Sequence, residues 1–168
     1  MSVVMLSGPV AAGKTTVAHE LVAISPAPFC YIEGDAFWPV FAKPDAKPRR
    51  ERFRLLMRSL TAAAVPLARG GYDVLLDFSF PLDFLETARK ILKEFLIDLV
   101  MLRPSLRTCE RQAATWPEGT IADYNLYRDF YTVFEGLPEH EIADDEADAE
   151  SIAQRIHTGL DQGIFRLS

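Results

Sequence analysis

The sequence predicts an α/β fold of three layers, in which a five-stranded, mostly parallel sheet is flanked by helices. Short apolar runs alternate with helical patterns along the 168 residues, which is typical of parallel sheets. A glycine-rich segment, residues 8–15, also lies directly between the first predicted strand and the first predicted helix. The length fits one compact unit, so we expect a single domain over residues 1–168.

Five apolar segments have the length and residue types of strands. In chain order they are residues 3–7, 29–33, 73–77, a strand within 95–102, and a short one at 141–143. Each is followed by a turn or by a helical pattern, so the sequence predicts that their carboxyl ends share one edge of the sheet.

Six segments have apolar residues at helical spacing. They are residues 14–24, 49–68, 81–94, 105–114, 123–136, and a last helix with Ile152, Ile156 and Leu160 on one face. Pro66 should bend or shorten the second helix. Residues 115–122 lack an apolar period, and we expect them to form a short mobile lid.

Composition narrows the choice of partners. The formal net charge is −6, so polyphosphate is repelled at long range and nucleic acid is not expected as a partner. No apolar run approaches the roughly 18 residues of a membrane span, and the N-terminus lacks a signal-peptide core. We therefore expect a cytoplasmic protein away from membranes, with Cys30 and Cys109 reduced rather than joined as a disulfide.

The glycine-rich segment matches the pattern G-x-x-x-x-G-K-[ST]. It reads Gly8, Pro9, Val10, Ala11, Ala12, Gly13, Lys14 and Thr15, with Thr16 next. In such a P-loop, backbone N–H groups and the helix N-terminus bind phosphates, and the lysine reaches the β- and γ-phosphates. The Thr15 hydroxyl is then a magnesium ligand, so we expect ATP and Mg²⁺ as cofactors. The alternative is a glycine-rich turn with a solvated lysine.

The class of P-loop protein follows from what accompanies the motif. Guanine-specific GTPases usually carry an Asn-Lys-x-Asp motif, whereas the only asparagine here is Asn125, followed by Leu126. Mechanical ATPases need more chain than 168 residues. These observations favour a P-loop NTPase fold adapted as a small kinase.

Together with residues 8–16, three further segments resemble the small P-loop kinases that include chloramphenicol phosphotransferase, gluconate kinase and shikimate kinase. They are residues 32–35, residues 75–77, and residues 102–105 continuing to Arg111. The resemblance covers nearly the whole chain. It implies transfer of the γ-phosphate of ATP to a hydroxyl of a small polar molecule, such as a sugar acid or an antibiotic.

The resemblance also implies roles for two carboxylates. Asp35 matches the aspartate that faces the acceptor hydroxyl and accepts its proton, and Asp77 matches the strand-end acid that holds magnesium. The alternatives are that Asp35 is a helix N-cap and Asp77 a turn residue. The sequence leaves open which of the two serves the metal and which the acceptor.

At the lid, the chain departs from these kinases. Arg111 matches an arginine that packs over the adenine, but the second lid arginine, about four residues later, is replaced by Thr115-Trp116. Arg128 is the candidate substitute near the transferred phosphate. Arg107 is the runner-up and a candidate nucleotide contact together with Arg111.

Aromatic and basic residues surround the second and third strand ends. The aromatic residues are Phe37, Trp38, Phe41, Phe78 and Phe80, which either wall an acceptor pocket or belong to the core. Arg49, Arg50 or Arg54 could bind an anionic acceptor, although a solvated helix face explains each of them as well.

Two other functions remain open: a regulatory ATPase whose output is a binding event, and a degenerate ATP-binding module, which the lid departure suggests. The aromatic and carboxylate cluster around Asp35 favours the kinase. We expect a monomer or a homodimer.

Overall fold

The computed structural model describes residues 1–43, 46–115, 121 and 123–167, apart from the side chain of Leu126. The predicted lid at 115–122 therefore lies outside the described residues, except for Thr115 and Ile121.

The five strands form one parallel sheet, as predicted. They are β1 (Ser2–Ser7), β2 (Phe29–Glu33), β3 (Asp73–Asp77), β4 (Leu96–Leu102) and β5 (Glu141–Ile142). Their order across the sheet is β2-β3-β1-β4-β5, and all four strand pairs are parallel. The carboxyl end of β1 therefore lies in the middle of one sheet edge, with the ends of β3 and β4 beside it.

Helices cover both faces of the sheet. They are α1 (Lys14–Ile24), α2 (Arg49–Arg69), α3 (Leu85–Ile91), α4 (Leu106–Ala114), α5 (Asn125–Thr132) and α6 (Ala149–Asp161). Side chains of β1 alternate between two cores: Val3 and Met5 pack with α2 and α3, whereas Val4 and Leu6 pack with α1, α4 and α6. This alternation follows from the two-residue period of a strand, and it produces the predicted three layers.

Some helix boundaries differ from the prediction. The helix α2 continues through Pro66 to Arg69, because a proline in the last turns removes few helical hydrogen bonds. The Pro66 carbonyl still accepts from Gly70, and the chain leaves the helix at Gly71, whose φ is 95°. The segment predicted as one helix from 81 to 94 is a 3₁₀ turn, Leu82–Phe84, followed by the shorter α3.

The later helices are also shorter than predicted. The side chain of Ser105 accepts from the Thr108 N–H and caps α4, which begins at Leu106. The segment predicted as a helix over 123–136 is helical only at Asn125–Thr132. Within the described ranges, no helix has both the length and the apolar character needed to cross a membrane.

Candidate active site

The P-loop sits where β1 meets α1. A Cβ at Gly8 would lie 2.0 Å from the Leu102 carbonyl oxygen, and φ at Gly8 is 142°. Gly13 has φ 84° and precedes the first residue of α1, Lys14. Both positions therefore need glycine, the first because β4 passes so closely and both because side chains disfavour these backbone angles.

The ammonium of Lys14 points into the loop that precedes it. It donates to the carbonyl oxygens of Gly8 and Pro9, at 3.3 and 2.9 Å. Burial lowers the pKa of Lys14, and the nearby carboxylates of Asp77 and Asp35 oppose this effect. The loop thus holds one buried cation among backbone oxygens and amides, an arrangement suited to a polyphosphate.

Three side chains meet at the carboxyl end of β3. Asp77 is buried, and its Oδ2 accepts from the Thr15 hydroxyl at 2.7 Å and from the Tyr31 hydroxyl at 3.1 Å. Burial raises the pKa of Asp77, while Lys14 and these two hydrogen bonds lower it. Its alternative reading as a plain turn residue does not account for a buried carboxylate with these partners.

This carboxylate and hydroxyl fit a magnesium ion. Mg²⁺ prefers oxygen ligands and is commonly bound by one or two protein groups together with substrate phosphates and water. Thr15 and Asp77 place two such oxygens beside the phosphate-binding loop. Tyr31 was not among the sequence candidates, because its place on β2 gave no motif.

Asp35 lies just beyond β2. It is the exposed first residue of a 3₁₀ helix, Asp35–Val40, whose N-cap is Gly34, and no side-chain cap is formed. The reading of Asp35 as a helix N-cap is therefore wrong. The Gly34 N–H donates to the Asp77 carbonyl at 2.7 Å, which fixes the chain next to β3 just before Asp35.

The P-loop and Asp35 face one cavity of about 750 Å³, a volume within the usual range for small-molecule sites. The P-loop follows the central strand β1, so it separates the cavity into two halves. The half on the side of β2 and β3 is called the aromatic half, and the second half lies on the side of β4 and β5. The second half is lined by Leu102, Pro104, Ile142, Ile152 and residues of the loop before α6.

Four aromatic rings form the wall of the aromatic half: Trp38, Phe53, Phe78 and Phe130. The Phe53 ring is central, with ring centroids 6.4 Å from Trp38, 5.2 Å from Phe78 and 5.7 Å from Phe130. Of the aromatics singled out in the sequence, Trp38 and Phe78 thus line the cavity. Phe80 is buried core, Phe37 is 36% exposed, and Phe41 packs behind Trp38.

Sequence reasoning missed Phe53 and Phe130. Each lies on a helix at core spacing, so the periodicity alone gave no reason to place it in a pocket. It also missed Gln112, which lines the cavity. A Cβ at Gly13 would lie 3.8 Å from its Oε1.

The candidate arginines divide into two groups. Arg49 and Arg50 line the cavity at the start of α2, and the Arg49 guanidinium lies 4.6 Å from the centre of the Trp38 ring. The described cavity wall does not include Arg54.

Nor does that wall include the arginines expected near the nucleotide. Arg111 is exposed and donates to Thr108, while Arg107 is exposed on the first turn of α4. Arg128 donates to Asn125 and forms an ion pair with Glu110. The structure therefore does not bring these three side chains together at the P-loop.

A parallel sheet with a P-loop after β1 and carboxylates after β2 and at the end of β3 defines the class of P-loop kinase-like proteins. A model of the chloramphenicol phosphotransferase-like protein family matches residues 1–118. The chain belongs to this family. No curated protein matches it significantly.

Solved structures share the fold over nearly the whole chain. A sugar kinase from Janibacter sp. HTCC2649 has a TM-score of 0.68 at 24% identity, covering 95% of this chain and 94% of that one. APS kinase of Mycobacterium tuberculosis, solved with AMPPNP and APS, has 0.68 at 18%, covering 95% and 97%. The tunicamycin resistance protein of Deinococcus radiodurans has 0.73 at 14%, covering 99% and 98%.

Proposed function

We propose that the chain is an ATP-dependent kinase that transfers the γ-phosphate to a hydroxyl of a small molecule. The observation that carries the proposal is that the P-loop, with Lys14, and the carboxylate of Asp35 face the same cavity. A hydroxyl placed between them meets a phosphate donor on one side and a proton acceptor on the other.

The P-loop would bind the triphosphate. Backbone N–H groups of residues 8 and 10–16 would donate to the phosphate oxygens, and the Lys14 ammonium would exchange the Gly8 and Pro9 carbonyls for the β- and γ-phosphates. Thr15 and Asp77 would hold Mg²⁺, which neutralises developing charge on the phosphates when bound.

Asp35 would act on the acceptor. It orients the hydroxyl in line with the γ-phosphorus and accepts the proton as the new P–O bond forms. The bond from the γ-phosphorus to the bridging oxygen breaks, and its electrons leave with ADP. Because the transition state is loose, positioning contributes more than basicity.

The nucleobase would lie in the second half of the cavity. Apolar side chains there, among them Leu102 and Ile142, suit a flat ring. Asp145, which accepts from the Ser105 N–H at 2.7 Å, is one of the carboxylates that line this half. Carboxylates disfavour phosphate there and suit the amino group of adenine.

Several finer parts of the proposal rest on the family resemblance and on the departure from it at the lid. These are a lid at 115–122, Arg111 over the adenine, and Arg128 near the transferred phosphate after release from Glu110, with Arg107 as the runner-up. We also propose a single domain over residues 1–168, acting in the cytoplasm as a monomer or homodimer.

The pairing of Arg128 with Glu110 favours two alternative functions. If no arginine reaches the transferred phosphate, transfer slows by orders of magnitude. The chain would then serve as a regulatory ATPase or a degenerate ATP-binding module.

Thermal melting with and without MgATP tests the nucleotide part. Ligand at 100 times its Kd adds about 2.7 kcal/mol to the free energy of unfolding, and Lys14→Ala should remove most of that gain. Transfer of labelled γ-phosphate to a panel of sugars, sugar acids, nucleosides and antibiotics tests the kinase. Absence of an ATP-dependent shift in the parent protein would contradict the proposal.

A further inference from the structure

We propose that the acceptor carries an aromatic ring and an anionic group besides its hydroxyl, which rests on the proposed kinase function and names its acceptor class. Three features of the aromatic half support this: four rings on its wall, two guanidinium groups at α2, and one carboxylate at Asp35.

The rings favour an aromatic acceptor. Phe78 is buried, and Trp38, Phe53 and Phe130 are partly buried. All four contribute to the lining of the cavity. A sugar ring covered with hydroxyls would lose hydration against such a wall without gaining hydrogen bonds, whereas an aromatic ring gains burial and ring–ring contact.

The arginines supply a site for the anion. Arg49 and Arg50 are exposed, and neither pairs with a carboxylate in the part of the chain that the structure describes. The Arg49 guanidinium lies over Trp38 at 4.6 Å. Stacking uses the face of a guanidinium and leaves its N–H edge free for a carboxylate or phosphate.

Together these groups define an order along the acceptor. The hydroxyl meets Asp35 and the P-loop, the ring lies against the aromatic wall, and the anion meets Arg49 and Arg50. An anion at the opposite end would face Asp35 and be repelled, so the site selects orientation as well as class.

Three probes separate these requirements: 4-(2-hydroxyethyl)benzoate has ring, anion and hydroxyl, 2-phenylethanol lacks the anion, and gluconate lacks the ring. Binding is measured by saturation-transfer NMR with and without nucleotide, and phosphorylation by label transfer from ATP. We expect the benzoate to bind about tenfold or more tightly than either other probe.

Matched variants assign the effect to residues. Arg50→Gln should reduce benzoate binding about three- to tenfold and leave 2-phenylethanol unchanged. Arg58→Gln, on the exposed face of the same helix and outside the cavity wall, should change neither. Phe53→Leu should weaken both aromatic probes and spare gluconate. If Phe53→Leu does not fold, Trp38→Leu replaces it, with the same expected result.

These experiments distinguish a wrong acceptor class from a wrong kinase function. Gluconate binding as well as or better than the benzoate, or equal losses in Arg50→Gln and Arg58→Gln, overturns the acceptor class while ATP-dependent stabilisation and transfer stand. Because acceptor binding is also measured without nucleotide, it gives a result even if ATP does not bind. Failure of all three probes to bind overturns the inference.

Discussion

The Thr15 hydroxyl donates a hydrogen bond of 2.7 Å to Oδ2 of Asp77, and this contact joins the first turn of α1 to the end of β3. The two residues are 62 positions apart in the chain. The P-loop and the predicted magnesium carboxylate are therefore held in one geometry before any ligand binds, and the first two predictions concern this carboxylate.

Replacing Asp77 with asparagine should change the metal requirement first. The amide retains the shape of the side chain but loses the charge, so the Mg²⁺ concentration for half-maximal ATP-dependent stabilisation should rise about tenfold or more. Melting curves at a series of Mg²⁺ concentrations measure this. An unchanged Mg²⁺ dependence would remove Asp77 from the metal site.

Tyr31→Phe should produce a smaller change of the same kind. It removes the second hydrogen bond to Asp77 Oδ2, at 3.1 Å, and so leaves the carboxylate less firmly oriented. We expect the Mg²⁺ requirement to rise about threefold to tenfold, which corresponds to the net contribution of one typical hydrogen bond, about 0.5–1.5 kcal/mol.

Tyr72→Phe is the matched control for this change. Tyr72 is 44% exposed and precedes β3, at the edge of the sheet opposite the site. Equal responses of the two variants would mean that Tyr31 does not act through Asp77.

Gly8→Ala should destabilise the fold. The added Cβ would approach the Leu102 carbonyl oxygen to 2.0 Å, and β4, which is paired with β1 on one side and β5 on the other, cannot move away easily. We expect a loss of about 3 kcal/mol or more in the free energy of unfolding. Gly71→Ala shares a positive φ but has open space around it, and should cost only about 1 kcal/mol. Denaturant unfolding measures the loss of stability in both variants. The Gly71→Ala loss reports backbone strain alone, so an equal loss in Gly8→Ala would show that the contact with Leu102 costs nothing.

The two cysteines should differ in reactivity. Cys109 is fully buried, and burial raises its pKa to about 11, so at pH 8 it remains a thiol rather than the reactive thiolate. Cys30 is partly exposed. A thiol reagent at pH 8 should label one site per native chain quickly and the second only on unfolding. Cys30→Ser should abolish the fast phase, and two fast sites in the parent would contradict the burial of Cys109.

The sequence predicted the central elements closely because local signals there agree. Helix α1 and strands β2 and β3 have the predicted bounds. In each of them the apolar residues follow a single helical or strand pattern, and a nearby glycine or proline marks where the element begins or ends. The helix at 81–94 was predicted too long because apolar spacing continues past Ile91, where the backbone already forms the turn before Phe95.

The sequence pointed to residues of the candidate site where they belong to a motif or lie at a strand end. Lys14 and Thr15 belong to the P-loop pattern, Asp77 ends β3, and Asp35, Trp38 and Phe78 come soon after strands. Phe53 could not be found in this way, because a cavity wall and a core face have the same helical spacing. The hydrogen bond from the Tyr124 hydroxyl to the Val10 carbonyl, at 2.7 Å, likewise depends on packing across 114 positions.

The proposed mechanism is tested most directly by measuring nucleotide affinity and phosphoryl transfer separately for Asp35→Asn. Asp35 is exposed and makes no cap, so the variant should fold and bind MgATP almost as the parent does. Transfer to an acceptor should fall about 10²-fold or more, because the hydroxyl loses both its orienting partner and its proton acceptor. Transfer at a near-parental rate with unchanged affinity would show that Asp35 is not the acceptor-side base and would contradict the proposed mechanism.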